Sequence, residues 1–160
     1  MKRVLLIALV LILVIGGTSF AAGRPKTFGL TAIGAYGSWG FTGNMAGGGI
    51  GISLKFGSFP VVGLKYNFTG AGSIGASVDW YILDSMGLVD ALTYFIGIGA
   101  FGYVNFGDPA SGDIGIRGNF GLQVWPVRLI EFYLDLIPAL TFIPSPQIGL
   151  GLEAGLRFHF

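Results

Sequence analysis

The chain has 160 residues, which is enough for one domain and too few for two. Charged residues make up 11% of it and hydrophobic residues 52%, whereas a soluble domain usually has about 25% charged residues. An ordinary hydrated surface is therefore excluded. The chain has no cysteine, which excludes a disulfide framework and a thiolate metal site.

The first 21 residues have the organisation of an export signal. Lys2 and Arg3 give a positive start, an apolar run follows, and Ser19 and Ala21 are small residues at the two positions read for cleavage. We expect cleavage after Ala21 and a mature domain over 22–160. An uncleaved anchor is the alternative, but the apolar run is shorter than the roughly 20 residues of a spanning helix. Loss of Lys2 and Arg3 changes the formal net charge from +1 to −1, which leaves no basic footprint for nucleic acid.

Eight later segments alternate apolar residues with polar residues and glycine, which is the period of a β-strand with one apolar face. The segments are 27–36, 49–56, 62–68, 73–82, 93–105, 113–124, 131–136 and 147–160. The connections between them carry turn residues, at 37–46, 57–60, 69–72, 83–91, 107–112, 125–129 and 143–146.

Three places in this pattern are irregular. The first segment slips phase near Ile33, which suggests a bulge. The fifth places Phe95, Phe101 and Tyr103 on the side that should be polar. Pro138 falls in the seventh segment, between the alternating residues 131–136 and the connection at 143, and suggests a bulge or an early strand end, because proline cannot donate the ladder hydrogen bond.

The segments fit a closed transmembrane barrel better than a soluble sandwich. Their lengths are close to the roughly 9–11 residues of a tilted membrane strand. A sandwich would expose a face rich in charged and hydroxyl side chains, whereas the second face here is largely glycine. Strands in lipid must close on themselves, and eight is the smallest even number of strands known for such barrels. We therefore expect an all-β fold, an eight-stranded antiparallel transmembrane β-barrel.

Aromatic residues collect near the end of the barrel where both termini would lie. With the termini on the periplasmic side, they predict an aromatic girdle at the membrane interface, with ordinary core aromatics as the alternative. The predicted girdle consists of Phe28, Phe56, Trp80, Trp125, Phe132, Phe158 and Phe160.

The inward face carries equal numbers of positive and negative charges. An eight-stranded barrel is only wide enough to be filled by side chains, so charges inside it must pair. The predicted interior network consists of Lys55, Lys65, Asp79, Arg117, Glu131, Asp135, Glu153 and Arg157. Glu131 with Arg157 is the first candidate pair, and Asp135, Glu153, Arg117 and Lys65 are expected to form a layer nearer mid-height.

Two interpretations of this interior stay open. It is either a packed polar plug or a narrow, gated pore whose salt bridges switch. The inward glycines either leave room for water or a small apolar ligand, or they allow dense packing around long side chains.

We find no pattern typical of catalysis or metal binding. His159 is the only histidine, and a lipid hydrolase would need it beside a nucleophile and an acid. Ser58 and Ser85 are the serines expected near its level. Carboxylates with one histidine give no ligand spacing for a metal, so we expect no cofactor and no enzyme activity.

The mature sequence resembles the small OmpA/OmpX/OmpW-like outer-membrane barrels over essentially its whole length. Leu156, Phe158 and the final Phe160 resemble the C-terminal signature read by the outer-membrane assembly machinery. A second block is similar to small barrel proteins of spirochaetes whose function is unassigned. It comprises Arg117, Gly121, Leu122, Pro126, Glu131, Asp135, Pro138 and Pro144.

The resemblance implies insertion into the bacterial outer membrane by that machinery. It departs from the OmpA pattern because no peptidoglycan-binding domain follows the barrel. We expect a monomer with a structural or membrane-integrity role, whose partners are outer-membrane lipid and the assembly machinery, and not nucleic acid. The alternatives are a pore or conduit for small, including hydrophobic, solutes, as the OmpW resemblance implies, and an exported lipid-modifying enzyme.

Overall fold

The computed structural model of the protein describes residues 31–89 and 91–160, which consist almost entirely of β-strands. The predicted signal segment and Phe28 lie outside the described residues. The strands are β1 (Thr31–Thr42), β2 (Gly47–Phe56), β3 (Val61–Asn67), β4 (Ser73–Val89), β5 (Leu92–Asn105), β6 (Ser111–Val127), β7 (Ile130–Ile143) and β8 (Gln147–His159). A short 3-10 turn, Gly43–Met45, follows β1.

Each strand pairs antiparallel with the next, and β1 also pairs with β8, so that the sheet closes into a barrel. The predicted eight-stranded antiparallel fold is confirmed. In the described part of the chain, no helix is long and apolar enough to cross a membrane. We call the end that carries the start of β1 and the end of β8 the lower end, and the opposite end the upper end.

The alternation seen in the sequence becomes an alternation of burial. Along β7, Glu131, Tyr133 and Asp135 are buried in the lumen, whereas Phe132 and Leu134 are exposed on the outside. This follows from strand geometry, because successive side chains point to opposite faces of the sheet. The core of the protein is therefore the inside of the barrel, and it is mostly polar and aromatic.

Several strands run further than the sequence pattern indicated. β1 continues to Thr42, although a connection was expected from 37 onward; β4 continues to Val89 and β6 to Val127. The predicted phase slip near Ile33 is wrong, because the pairing of β1 with β2 is continuous from Thr31 to Gly40. The irregularity of β1 lies near its upper end instead, where its register against β8 shifts between Gly40 and Thr42.

Pro138 neither ends β7 nor creates a bulge. It is the Cα partner of Leu150 in an unbroken register with β8. Gly118 on β6 makes this possible, because a Cβ added there would lie 3.3 Å from Cγ of Pro138. The glycine that interrupts the apolar face of β6 therefore gives space to the proline ring on the neighbouring strand.

The outer surface is apolar from one end of the barrel to the other. Among the described residues, the exposed charged side chains are Asp108 and Arg128, and both lie in turns between strands. The predicted girdle residues Phe56, Trp80, Phe132, Phe158 and Phe160 are all exposed on this surface. Further aromatic side chains that the sequence interpretation did not include are exposed towards the upper end: Phe41, Phe68, Phe106 and Phe142.

Candidate functional site: the lumen of the barrel

All eight charged residues predicted to face inward are buried in the lumen. A ninth, Asp84, joins them. Burying charges is expensive unless each one has a partner, so the contacts decide what this interior can do. The charges form a lower cluster around Glu131, an adjoining Lys55–Asp84 pair, and an upper cluster around Arg117.

Glu131 is the centre of the lower cluster, and its side chain is fully buried. One carboxylate oxygen, Oε1, accepts hydrogen bonds from Nη1 of Arg157 at 2.8 Å and from Nε2 of Gln123 at 2.9 Å. The other oxygen lies 2.6 Å from Nε2 of His159. The strand register explains the first contact, since Glu131 and Arg157 are Cα partners on β7 and β8. The structure thus brings the first candidate pair together, and adds His159 to it.

Arg157 is held on several sides in addition. Its Nε donates to Oγ of Ser53 at 3.0 Å, and its Nη2 donates to the hydroxyl of Tyr81 at 3.0 Å. Its guanidinium carbon lies 3.9 Å from the ring centroid of Tyr133. A planar guanidinium is suited to such a combination of forked hydrogen bonds and ring stacking.

Asp84 was missed in the sequence, and it is the partner of Lys55. Nζ of Lys55 lies 2.7 Å from Oδ2 and 2.9 Å from Oδ1 of this carboxylate. Gln123 donates to Asp84 at 3.3 Å as well as to Glu131, and so connects the two lower ion pairs. Residues 83–91 were expected to be a connection, but β4 continues through Asp84 to Val89.

The upper cluster is built on Arg117. Its Nε donates to Oδ1 of Asp79 at 2.7 Å, its Nη2 bonds the second oxygen of Asp79, and its Nη1 lies 3.3 Å from Oε1 of Glu153. Lys65 lies 3.8 Å from the same Glu153 oxygen. Asn119 donates from Nδ2 to Asp79 at 3.2 Å.

The expected mid-height layer is thus brought together only in part. Arg117, Glu153 and Lys65 are in contact, whereas Asp135 forms no ion pair among the described residues. Oδ1 of Asp135 instead accepts a hydrogen bond at 2.9 Å from the backbone N–H of Phe120.

Aromatic rings fill the space between the charges. Each inward Phe or Tyr in the described part of the chain has a glycine as its Cα partner on a neighbouring strand. The pairs are Tyr36 with Gly51, Tyr81 with Gly97, Phe95 with Gly121, Phe101 with Gly115, Tyr103 with Gly75, and Tyr133 with Gly155.

These glycines are required because the rings lie directly on them. A Cβ added at Gly155 would be 2.6 Å from Cε1 of Tyr133, and one added at Gly51 would be 2.5 Å from Cζ of Tyr36. Real Cβ atoms do not approach so closely. Dense packing, one of the two open interpretations of the inward glycines, is therefore what these positions provide. The fifth segment owes its irregular pattern to the same packing, because its rings occupy the lumen.

Trp125 does not belong to the aromatic girdle, contrary to the prediction. Its side chain is buried in the lumen, where Nε1 donates to Oγ1 of Thr93 at 2.9 Å and the indole lies against His159 with ring centroids 4.8 Å apart. β6 continues through this position, so the strand period that places Gln123 inside places Trp125 inside too. An indole can be buried in this way because its N–H has an acceptor.

The arrangement around His159 is one of packing and hydrogen bonding. Ser85 donates to Asp84 at 3.2 Å, and among the described residues no hydrogen bond joins His159 to Ser58 or Ser85. Within that same part of the chain, no group of three or more His, Asp or Glu side chains is placed to hold a metal ion.

No protein-family model matches the chain, and no curated protein matches it. Among solved structures, it is similar to the N-terminal β-barrel domain of Pseudomonas aeruginosa OprF, with a TM-score of 0.53 and 14% sequence identity. The match covers 80% of this chain and 96% of the other. A likeness at this level of identity concerns the fold.

Proposed function

We propose that this protein is a bacterial outer-membrane β-barrel with a structural, membrane-integrity role, and that paired charges and aromatic rings close its lumen. The observation that carries the proposal is the inversion of polarity: nine charged side chains of the described residues are buried inside, while the outside of the strands is apolar.

The outer surface supports a lipid environment. A soluble barrel would cover its outward strand positions with charged and hydroxyl side chains, whereas here exposed charges occur only in turns of the described part. Closure also joins β1 to β8, so that none of the eight described strands forms a free sheet edge, which lipid does not tolerate. The exposed aromatic residues near both ends are suited to the two membrane interfaces. The likeness to the OprF barrel domain agrees with this location.

Membrane insertion can be tested on the folded protein. We expect it to float with phospholipid vesicles after reconstitution and to need detergent when lipid is absent. A folded monomer that stays in solution without detergent or lipid would refute the location. We further propose that the C-terminal strand, ending in Phe158 and Phe160, is recognised by the outer-membrane assembly machinery, and that the barrel inserts as a monomer.

The lumen contacts support closure rather than conduction. Glu131, Gln123 and Phe95 are fully buried, and they belong to side chains that reach inward from three different strands. An ion would have to separate at least one buried pair, and breaking such a pair by removing one partner costs about 3–5 kcal/mol.

Single-channel recording in planar bilayers tests this part of the proposal. We expect the reconstituted protein to give no steady conductance. The double variant Glu131→Ala/Arg157→Ala removes the central lower pair without leaving a lone charge from it, and serves as a positive control for an opened lumen. Steady conductance of the unaltered protein would overturn the closed-lumen proposal and favour the narrow pore.

A further inference from the structure

The buried charges divide unevenly between the two clusters. In the lower half, Glu131 and Asp84 face Arg157 and Lys55, so the permanent charges balance. In the upper half, Arg117 and Lys65 face Asp79 and Glu153, which also balance. Among the described residues, Asp135 is a fifth buried carboxyl group, and no Lys or Arg side chain forms an ion pair with it.

The surroundings of Asp135 disfavour a negative charge. Its Cα partner on β8 is Glu153, so that two carboxyl groups lie side by side on the inward face. The charged groups that act on it across the lumen are Glu153 and Arg157 on β8, Arg117 on β6 and Asp79 on β4. Both arginines already hold carboxylates by direct hydrogen bonds.

The phenolic hydroxyls of Tyr81 on β4 and Tyr133 on β7 also lie within electrostatic range of Asp135. Neither of them supplies a positive charge. In the part of the chain that the structure describes, the upper half of the lumen therefore contains one more buried carboxyl group than buried Lys and Arg side chains.

A second, independent observation concerns Asn119. Its side chain is fully buried, and its Nδ2 donates to Asp79, which directs the amide. Its carbonyl oxygen, Oδ1, has no hydrogen-bond partner among residues 31–89 and 91–160. Leaving a buried acceptor unpaired destabilises the folded state, so a donor is expected there.

The strand register places these two groups together. Asp135 is the Cα partner of Gly121, and Asn119 lies two residues before that glycine on the same inward face. Such diagonal neighbours on one face of a sheet lie about 7–8 Å apart. Moreover, Oδ1 of Asp135 accepts a hydrogen bond from the backbone nitrogen of Phe120. This nitrogen is covalently bonded to the backbone carbonyl carbon of Asn119, so the carboxyl group of Asp135 lies on the side of Asn119.

We propose that Asp135 binds a proton and, as a neutral carboxyl group, donates it to Oδ1 of Asn119. Its other oxygen accepts the hydrogen bond from the backbone of Phe120. The lumen thereby contains a proton-binding site. Removal of the proton leaves a negative charge on Asp135 beside Glu153, and no cation of the described residues balances it. Loss of the proton at alkaline pH should loosen the upper cluster.

Infrared spectroscopy of the reconstituted protein tests the protonation directly. We expect the C=O stretch of a protonated carboxylic acid at neutral pH, its loss in Asp135→Asn, and its displacement in Asn119→Ala. Absence of the band, its persistence in Asp135→Asn, or an unchanged band in Asn119→Ala would overturn the proposal. The measurement on the unaltered protein and on Asn119→Ala decides the matter if Asp135→Asn does not fold.

Urea unfolding gives a matched comparison of two buried carboxyl groups. Asn at position 135 is neutral and can donate to Asn119, so the unfolding midpoint of Asp135→Asn should equal or exceed that of the unaltered protein and should fall less at alkaline pH. Asp79→Asn removes the partner of Arg117 and should lower the midpoint at neutral pH. Equal losses in the two variants would refute a neutral Asp135.

These results are separable from the proposed function. Conductance of the unaltered protein would remove the closed-lumen proposal but would leave the infrared band in place. A missing band would remove the proton site without any effect on membrane insertion.

Discussion

Replacement of Glu131 by alanine is the most direct perturbation of the lower cluster. The fully buried carboxylate accepts hydrogen bonds from Arg157 at 2.8 Å and Gln123 at 2.9 Å, and its second oxygen lies 2.6 Å from His159. Its removal leaves the guanidinium of Arg157 buried with only neutral partners. Breaking a buried pair in this way costs about 3–5 kcal/mol, most of it for the charge left behind.

The expected result is a lower free energy of unfolding, measured by urea titration in phospholipid vesicles with circular dichroism. The heat-modifiable shift in gel mobility should also occur at a lower temperature. Asp108→Ala is the matched control, because Asp108 is an exposed acidic residue in a turn, and it should leave both measurements unchanged.

A double-mutant cycle separates the pair from its surroundings. Because Arg157→Ala removes the charge that Glu131→Ala leaves unpaired, the double variant should lose less stability than the sum of the two single variants. If Glu131→Ala behaves like Asp108→Ala, or if the two losses simply add, the lower cluster does not hold the barrel together as the distances indicate.

Two further variants test the packing of the lumen. Gly121→Ala should destabilise the barrel by about 1–3 kcal/mol, because the new methyl group would overlap the ring of Phe95. Gly102→Ala should be neutral, since its Cβ would lie 3.7 Å from the nearest atom. Urea unfolding compares the two variants, and equal effects would contradict the contact between ring and glycine. In single-tryptophan variants, brominated phospholipid should quench the fluorescence of Trp80 on the outer surface but not that of Trp125 in the lumen, and quenching of both would return Trp125 to the girdle.

Most of the fold could be predicted from the sequence, because the alternation of a β-strand is visible residue by residue. It also contained the information that Trp125 faces inward, since the alternation that places Asn119, Gly121 and Gln123 inside continues for one more step. The girdle prediction followed residue type instead of that period. The contact of His159 with Glu131 was accessible in part, because pairing Glu131 with Arg157 makes His159 the next inward side chain on β8.

Asp84 could not be found by alternation. The inward residues at the start of β4 have odd numbers, as in Asp79 and Tyr81, whereas Asp84 has an even number. The register of β4 against β5 shifts between Tyr81 and Leu83 and again between Leu83 and Met86, which changes the face that each later residue presents. Ser85, with a φ of 52°, lies in this irregular stretch. A bulge has no fixed signature in one sequence, so the partner of Lys55 becomes visible only in three dimensions.

The positions of the glycines and of the buried charges in this barrel depend on one another. Gly155 gives space for the ring of Tyr133, and the guanidinium carbon of Arg157 lies 3.9 Å from the centroid of that ring. From this position Arg157 donates a hydrogen bond to Glu131. The glycine thus determines where the ring lies, and the ring helps to position the guanidinium. A side chain at Gly155 would therefore displace the ring and, through it, the ion pair. Part of the abundance of glycine follows from this arrangement, since a narrow lumen can hold these rings only where the paired position on the neighbouring strand has no side chain.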